Sequence, residues 1–353
     1  MDRKLVAQHM ETCQICQGKI PLDESGRLIL SSMEPGVTET LHRSFKKYGA
    51  EMSKQGRLFI PYESWDVLEK HLFRTENILP ENELGRLRGS LMTEKGSKHF
   101  PGNDFSYYEL FEQVKNPMFV KIIQERLFQS FMQPVIDSAT GEPVGYEFLL
   151  RPNSKLFPFS PGDLFSFSQR SGLQSMLDSQ ARINAIRTGA HMLENGIKRF
   201  INFLPSSIYD PRHCLQSTFK AVKEYGVRAD DLVFEVVETE KIEDINHLQF
   251  IFDEYKKAGV HVALDDVGSG HATLEVLQKL KPDYAKIDRS LVDHCDQHPE
   301  KLAYIKKLKE AAAAQGTLLL AEGIERPEEY EALKPIVDLV QGYYFGRPLM
   351  KPA

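Results

Sequence analysis

From about residue 131 onward, short apolar runs alternate with longer, charged segments. The runs are Phe131–Ile136, Tyr146–Leu150, Phe200–Leu204, Leu232–Val237, His261–Asp265, Tyr284–Ile287, Thr317–Ala321 and Val337–Val340, each of strand length. Between most of them lie helix-length segments such as Ser179–Glu194, Ile245–Ala258 and Pro299–Gln315. Strand and helix repeating at this density predict a parallel sheet, and eight candidate strands suit a closed (β/α)8, TIM-like barrel. The first pair breaks the rhythm. Phe131–Ile136 and Tyr146–Leu150 are joined by a short turn containing Gly and Pro, too short for a helix, which predicts a hairpin and one antiparallel strand.

Residues 1 to about 120 lack this alternation. They hold short apolar pieces at Arg27–Leu30 and Arg57–Pro61, helical spacing around Ser64–Arg74 and a polar stretch from Thr93 to Asp104, which together predict a small α+β N-terminal domain. Residues 116–130 place Phe119, Ile122, Ile123 and Leu127 at helical spacing, with Pro117 in the first turn, and predict a connecting helix. The expected division is therefore 1–115 as an N-terminal regulatory or sensor domain, 116–130 as the connecting helix and 131–353 as the barrel.

Composition narrows the class. The 353 residues exceed the usual domain of about 100–200 residues, which favours one large domain plus a smaller one. Hydrophobic residues at 41% and charged residues at 27% are the proportions of a globular protein with a sizeable core. No apolar run approaches a membrane span, and Met1-Asp2-Arg3-Lys4 opens a mixed polar stretch without a signal core, so the cytoplasm is the expected compartment. A net charge of −6 offers no general attraction to nucleic acid, so a phosphate ligand must be held by a local site. Four cysteines, Cys13, Cys16, Cys214 and Cys295, are too few and uneven for a disulfide framework. Cys13 and Cys16, four residues beyond His9, could form half of a Zn²⁺ site. Closing it would require His9, His42, a carboxylate or a partner chain.

The strongest chemical signal is Asp265-Asp266-Val267-Gly268-Ser269-Gly270, which closes the apolar run His261–Leu264. Adjacent anions repel unless a cation holds them. Successive strand residues point to opposite faces, so a shared ligand requires the chain to turn there. Alone, the segment would better suit a surface turn. Reactive groups in such barrels sit at the C-terminal strand ends, and those ends carry Glu147 and Arg151, Asn202, Glu235 and Glu238, Asp265 and Asp266, Lys286 and Asp288, Glu322 and Glu325, and Gln341. That many carboxylates beside apolar strands are costly unless a metal cluster neutralises them.

Eight motifs in order make the chain resemble a known family. They are Gln133-Pro134-Val135, Gly145-Tyr146-Glu147-Phe148-Leu149-Leu150-Arg151, Ile201-Asn202-Phe203, Phe234-Glu235-Val236-Val237-Glu238, Asp265 to Gly270, Lys286-Ile287-Asp288, Ala321-Glu322-Gly323-Ile324-Glu325 and Gln341-Gly342-Tyr343-Tyr344-Phe345. Over roughly residues 127–350 the sequence resembles the EAL-domain phosphodiesterases, which linearise the bacterial second messenger cyclic di-GMP. The resemblance implies that Glu147, Asn202, Glu235, Asp265, Asp266 and Glu322 hold two Mg²⁺ or Mn²⁺ ions, with Gln341 completing the site. It implies catalytic roles for Lys286, Glu322 and Glu147. Gln133, Arg151, Asp288 and Gln341 are expected to contact substrate, and Glu238 to anchor the loop after Asp266. The expected product is pGpG, and a homodimer is expected. An unidentified protein partner or signal could act at the N-terminal domain.

The chain departs from the family pattern at several positions. Phe148 stands where the family's signature tripeptide has Ala, Val237 replaces a usual Thr, and Val267 and His271 replace the typical Phe and Tyr. The ligands and the lysine are all retained, which favours an active enzyme. The alternative is a cyclic di-GMP receptor that binds the nucleotide with weak or no catalysis.

Overall fold

The computed structural model describes residues 25–93, 104–236, 245–268 and 273–351. His9, Cys13, Cys16, Val237, Glu238 and His271 lie outside those residues, so the zinc and loop-anchoring expectations concern positions the structure does not describe.

Two compact units are present. The first contains an antiparallel sheet of β1 (Gly26–Ser31), β2 (Glu51–Met52), β3 (Leu58–Tyr62), β4 (Arg88–Thr93) and β5 (Phe105–Ser106), ordered β2-β3-β1-β4-β5. Leu28, Leu30, Leu58 and Ile60 are buried, as are Leu41, Phe45, Leu68 and Leu72 of helices Pro35–Phe45 and Trp65–Ile78. Ser64 caps the second helix by accepting from the Val67 N–H, and Trp65 Nε1 donates to the Val114 carbonyl at 2.7 Å.

The second unit is a closed barrel of β6 (Phe128–Asp137), β7 (Pro143–Pro152), β8 (Lys198–Phe203), β9 (Leu232–Val236), β10 (His261–Val267), β11 (Tyr284–Ile287), β12 (Leu318–Ala321) and β13 (Leu339–Val340). Consecutive strands from β7 to β13 run parallel, while β6 pairs antiparallel with β13. The expected modified (β/α)8 barrel with one antiparallel strand is therefore present. The β6–β7 turn is tied by Asp137, whose Oδ1 accepts the Ala139 and Thr140 N–H groups at 3.0 and 2.8 Å.

Two expectations need correction. The helix over 116–130 is only Pro117–Glu125, because Arg126 takes a left-handed φ of 55° and ends it, and β6 begins at Phe128. The division at residue 131 also shifts: Pro152–Leu177 belongs to the N-terminal unit. Gln113 Nε2 donates to the Ser171 carbonyl at 2.6 Å, and the Phe119 and Phe167 rings meet at 5.3 Å. The amphipathic helix Pro161–Arg170 thus buries Leu164 and Phe167 there, although its sequence position lies inside the strand-helix alternation.

Period-two alternation organises the barrel interior. Val135, Phe200, Val233, Ala263, Tyr284, Leu320 and Leu339 pack into one apolar layer, with Gly145 against the Phe200 ring. Two residues further toward the C-terminal ends of the parallel strands, the next inward positions are Glu147, Asn202, Glu235, Asp265, Lys286, Glu322 and Gln341. On the reversed β6 the corresponding residue is Gln133, two before Val135.

Candidate active site

This upper layer forms one hydrogen-bonded cluster centred on Lys286, whose side chain is 2% exposed. Its Nζ lies 2.6 Å from Glu322 Oε1, 3.0 Å from Glu235 Oε2, 3.3 Å from Asp265 Oδ1 and 3.9 Å from Glu147 Oε1. Glu147 is fixed from both sides, because its Oε1 accepts from Asn202 Nδ2 at 3.0 Å and its Oε2 from Gln341 Nε2 at 2.8 Å. The structure brings together Glu147, Asn202, Glu235, Asp265, Lys286, Glu322 and Gln341.

The paired aspartates meet the geometric demand through a bulge. The β10–β11 register slips between Leu264 and Val267, and Asp266 adopts a left-handed φ of 53°. Its N–H donates to Asp265 Oδ1 at 3.0 Å. Both aspartates and Glu322 can consequently offer carboxylate oxygens within 4.8 Å of one another. Asp is among the few residues that tolerate the left-handed region, so the turn is built by a candidate ligand itself. Val267 is fully buried in the hydrophobic core.

Charge and burial oppose each other here. Burial pushes the Glu235 and Glu322 carboxyls well above the usual carboxylate range, and neighbouring carboxylates push in the same direction. For Lys286 burial alone would favour the neutral amine, but Asp265, Glu147, Glu235 and Glu322 outweigh it and raise its pKa well above that of a free lysine. Lys286 is therefore an ammonium donor. Glu235 Oε1 and Gln341 Oε1 are buried without a protein hydrogen-bond partner. Orphaned oxygens in an all-oxygen donor set fit hard divalent cations such as Mg²⁺ or Mn²⁺.

The remaining expected residues have these contacts. Gln133 Nε2 donates to the Gly346 carbonyl at 3.1 Å, and Arg151 Nη1 donates to the Leu150 carbonyl at 2.8 Å. Asp288 caps helix Arg289–Val292 by accepting the Ser290 N–H at 3.0 Å. Glu325 pairs with Arg289 at 2.8 Å on the surface. Phe148 does not crowd the site. It points out of the barrel, where its ring fits against helix Gln174–Met192 because Gly189 lacks a side chain; an added Cβ there would lie 3.0 Å from Phe148 Cζ.

One site-shaping residue escaped sequence reasoning. Gly342 allows the segment after β12 to lie directly on the segment after β13: a Cβ at 342 would sit 2.0 Å from the Ile324 carbonyl oxygen. Ile324 N–H donates to the Gln341 carbonyl at 3.1 Å, which holds the Glu322 loop beside Gln341. The signal was present, since Gly342 directly follows a candidate ligand. A second acidic cluster, Asp293, His294 and Glu329, has another explanation. Glu329 accepts backbone N–H groups of His294, Glu325 and Arg326, and Arg326 Nη1 meets His294 Nδ1 at 2.7 Å, so it serves as a helix-start bracket.

Known proteins share the barrel fold. A standalone EAL protein from Vibrio cholerae O395, solved in a c-di-GMP-bound form, superposes with a TM-score of 0.58 at 31% identity, covering 64% of this chain and 94% of that one. The probable cyclic di-GMP phosphodiesterase PdeG of Escherichia coli is 32% identical over 233 residues, 62% of this chain and 44% of that protein. The Escherichia coli cyclic di-GMP phosphodiesterase PdeL is 24% identical over 342 residues, 93% of this chain and 89% of that protein. Other curated relatives are matched over only 26% and 28% of their length. Among the described residues no helix is long and apolar enough to cross a membrane. The family model for the EAL domain matches residues 119–348, and this chain belongs to the EAL domain family.

Proposed function

We propose that this chain hydrolyses cyclic di-GMP to linear pGpG with two Mg²⁺ or Mn²⁺ ions. The carrying observation is the buried all-oxygen cluster from successive strand ends, with orphaned Glu235 and Gln341 oxygens, converging on Lys286. Glu147, Asn202, Glu235, Asp265, Asp266 and Glu322 would hold the ions, with Gln341 beside them. Bound, the pair supplies Lewis-acid charge for the phosphoryl oxygens and lowers the pKa of water.

The chain's own groups do the rest. The Lys286 ammonium donates a hydrogen bond that orients the attacking water oxygen, and Glu322 Oε1, 2.6 Å from Lys286 Nζ, accepts the water proton. The new O–P bond replaces a P–O3′ bond, and the departing 3′ oxygen takes up a proton from solvent while Glu322 returns its proton to solvent, so that one water is consumed per bond cleaved. Arg151, Gln133 and Asp288 bind the nucleotide, with Arg151 matched to phosphate. Relatives named as cyclic di-GMP phosphodiesterases and the c-di-GMP-bound Vibrio cholerae protein support the substrate assignment.

The N-terminal unit is proposed as the regulatory part, with Cys13 and Cys16 as candidate zinc ligands and the barrel as a homodimer in the cytoplasm. The activity is tested by incubating the full chain with cyclic di-GMP and Mn²⁺ or Mg²⁺ and separating the nucleotides. Formation of pGpG that stops on chelation is expected. Nucleotide retained intact through a single-turnover experiment would overturn hydrolysis in favour of a receptor.

A further inference from the structure

Asp178 lies in helix Gln174–Met192, outside the upper layer, and is 2% exposed. A buried carboxylate is expensive unless it is used, and two of this one's partners, Leu204 and Ser207, lie just beyond the strand end that carries Asn202. Its Oδ1 accepts the Leu204 N–H at 3.0 Å. Its Oδ2 receives the Ser207 hydroxyl and Arg182 Nη1. The Ser207 oxygen also lies 2.7 Å from the Leu204 carbonyl. Arg182 is in turn held by Thr218, with Nε 3.4 Å from Oγ1.

The position of Leu204 gives this network its meaning. The β8–β9 ladder ends at Phe203 opposite Val236, so the Leu204 N–H falls just beyond the last pair. Asn202 is two residues earlier, and its Nδ2 bonds to Glu147. Without Asp178 the chain direction after Asn202 would rest on a buried N–H that has lost its acceptor, and the amide would swing with the backbone that carries it.

We propose that Asp178 is a positioning residue for the divalent-cation site, acting through Leu204 and Ser207 to aim the Asn202 amide. This rests on the metal-site reading above. It is a role for the charge and geometry of one buried side chain, and it predicts coupling to Asn202 that a general contribution to folding does not.

The test is a double-mutant cycle read by Mn²⁺ titration calorimetry on the full chain, without nucleotide. Asn202→Ala is expected to weaken Mn²⁺ binding, and Asp178→Asn to weaken it about tenfold. In the Asn202→Ala background Asp178→Asn should weaken it less than about twofold, because the residue it aims is gone. Ser207→Ala, which removes the hydroxyl's contacts to Asp178 and to the Leu204 carbonyl and spares the ion pair, should follow the same pattern with a smaller loss and covers the case in which Asp178→Asn does not fold. Equal loss in both backgrounds, or unchanged affinity in Asp178→Asn and Ser207→Ala while Asn202→Ala weakens binding, overturns the positioning role alone. Unchanged affinity in Asn202→Ala would instead overturn the metal-site reading.

Discussion

The two interior layers of the barrel lie one strand repeat apart and do opposite work. The lower layer, Val135, Phe200, Val233, Ala263, Tyr284, Leu320 and Leu339, is apolar and filled, with the Phe200 and Tyr284 rings in edge contact at 5.2 Å. The upper layer on the same strands crowds Glu147, Glu235, Asp265 and Glu322 around one ammonium. Burial stabilises the first and penalises the second. The same scaffold therefore separates its stability from its chemistry by a shift of two residues, and a substitution's effect should depend on which layer it enters.

The largest effect should come from the lower layer. Phe200→Ala removes a fully buried ring and is expected to lower folding stability by about 3–5 kcal/mol, measured by urea unfolding. A loss below about 1 kcal/mol would mean that this layer is not the packed floor of the site. Next, Asp266→Asn replaces a half-buried anion with a neutral amide and should reduce hydrolysis more than about a hundredfold, beyond what outer-shell changes usually cost, while the melting temperature of the chelated protein stays the same or rises. Retained turnover, or unfolding without metal, would erase the distinction between layers. Phe148→Leu sharpens it from outside the barrel: about 1 kcal/mol of stability is expected to be lost with Mn²⁺ affinity unchanged, because Phe148 faces Gly189 and not the ligands.

The smallest effect is electrostatic. Glu235 and Glu322 are raised by burial, so their contribution to stability is present below the ordinary value of 4.5 and is lost as pH rises through their higher folded values. Lys286, raised above 10.5, stays charged throughout that window. In chelator, the melting temperature of the wild type relative to Glu235→Gln should therefore fall by a few degrees as pH rises above 4.5. Saturating Mn²⁺ should reverse the slope, since the ion binds the deprotonated carboxylates. A difference that grows in the wild type's favour with pH in chelator would contradict the raised carboxyls.

Much of the barrel was legible because its strands are short apolar runs bounded by charge, as at Tyr284–Ile287, where the strand has the expected limits. The boundary at Pro152–Leu177 was not, since the amphipathic pattern of Pro161–Arg170 says that the helix packs but not onto which unit. The site was legible as a set of strand-end polar residues. The two-residue spacing, with Phe200 before Asn202 and Tyr284 before Lys286, marks which of them point inward. Asp178 was hidden for a different reason: it acts through a backbone atom distant in sequence, Leu204 N, and such a contact leaves no local pattern.

The decisive measurement is Mn²⁺ binding followed by calorimetry and electron paramagnetic resonance, comparing the wild-type chain with an Asp265→Asn/Asp266→Asn variant that retains the wild-type circular dichroism. Two ions per chain with a spin-coupled signal are expected in the wild type, and loss of the coupled signal in the variant. Absence of Mn²⁺ binding by the wild type, or an unchanged coupled signal in the variant, would contradict the assignment of the upper layer as a two-cation site.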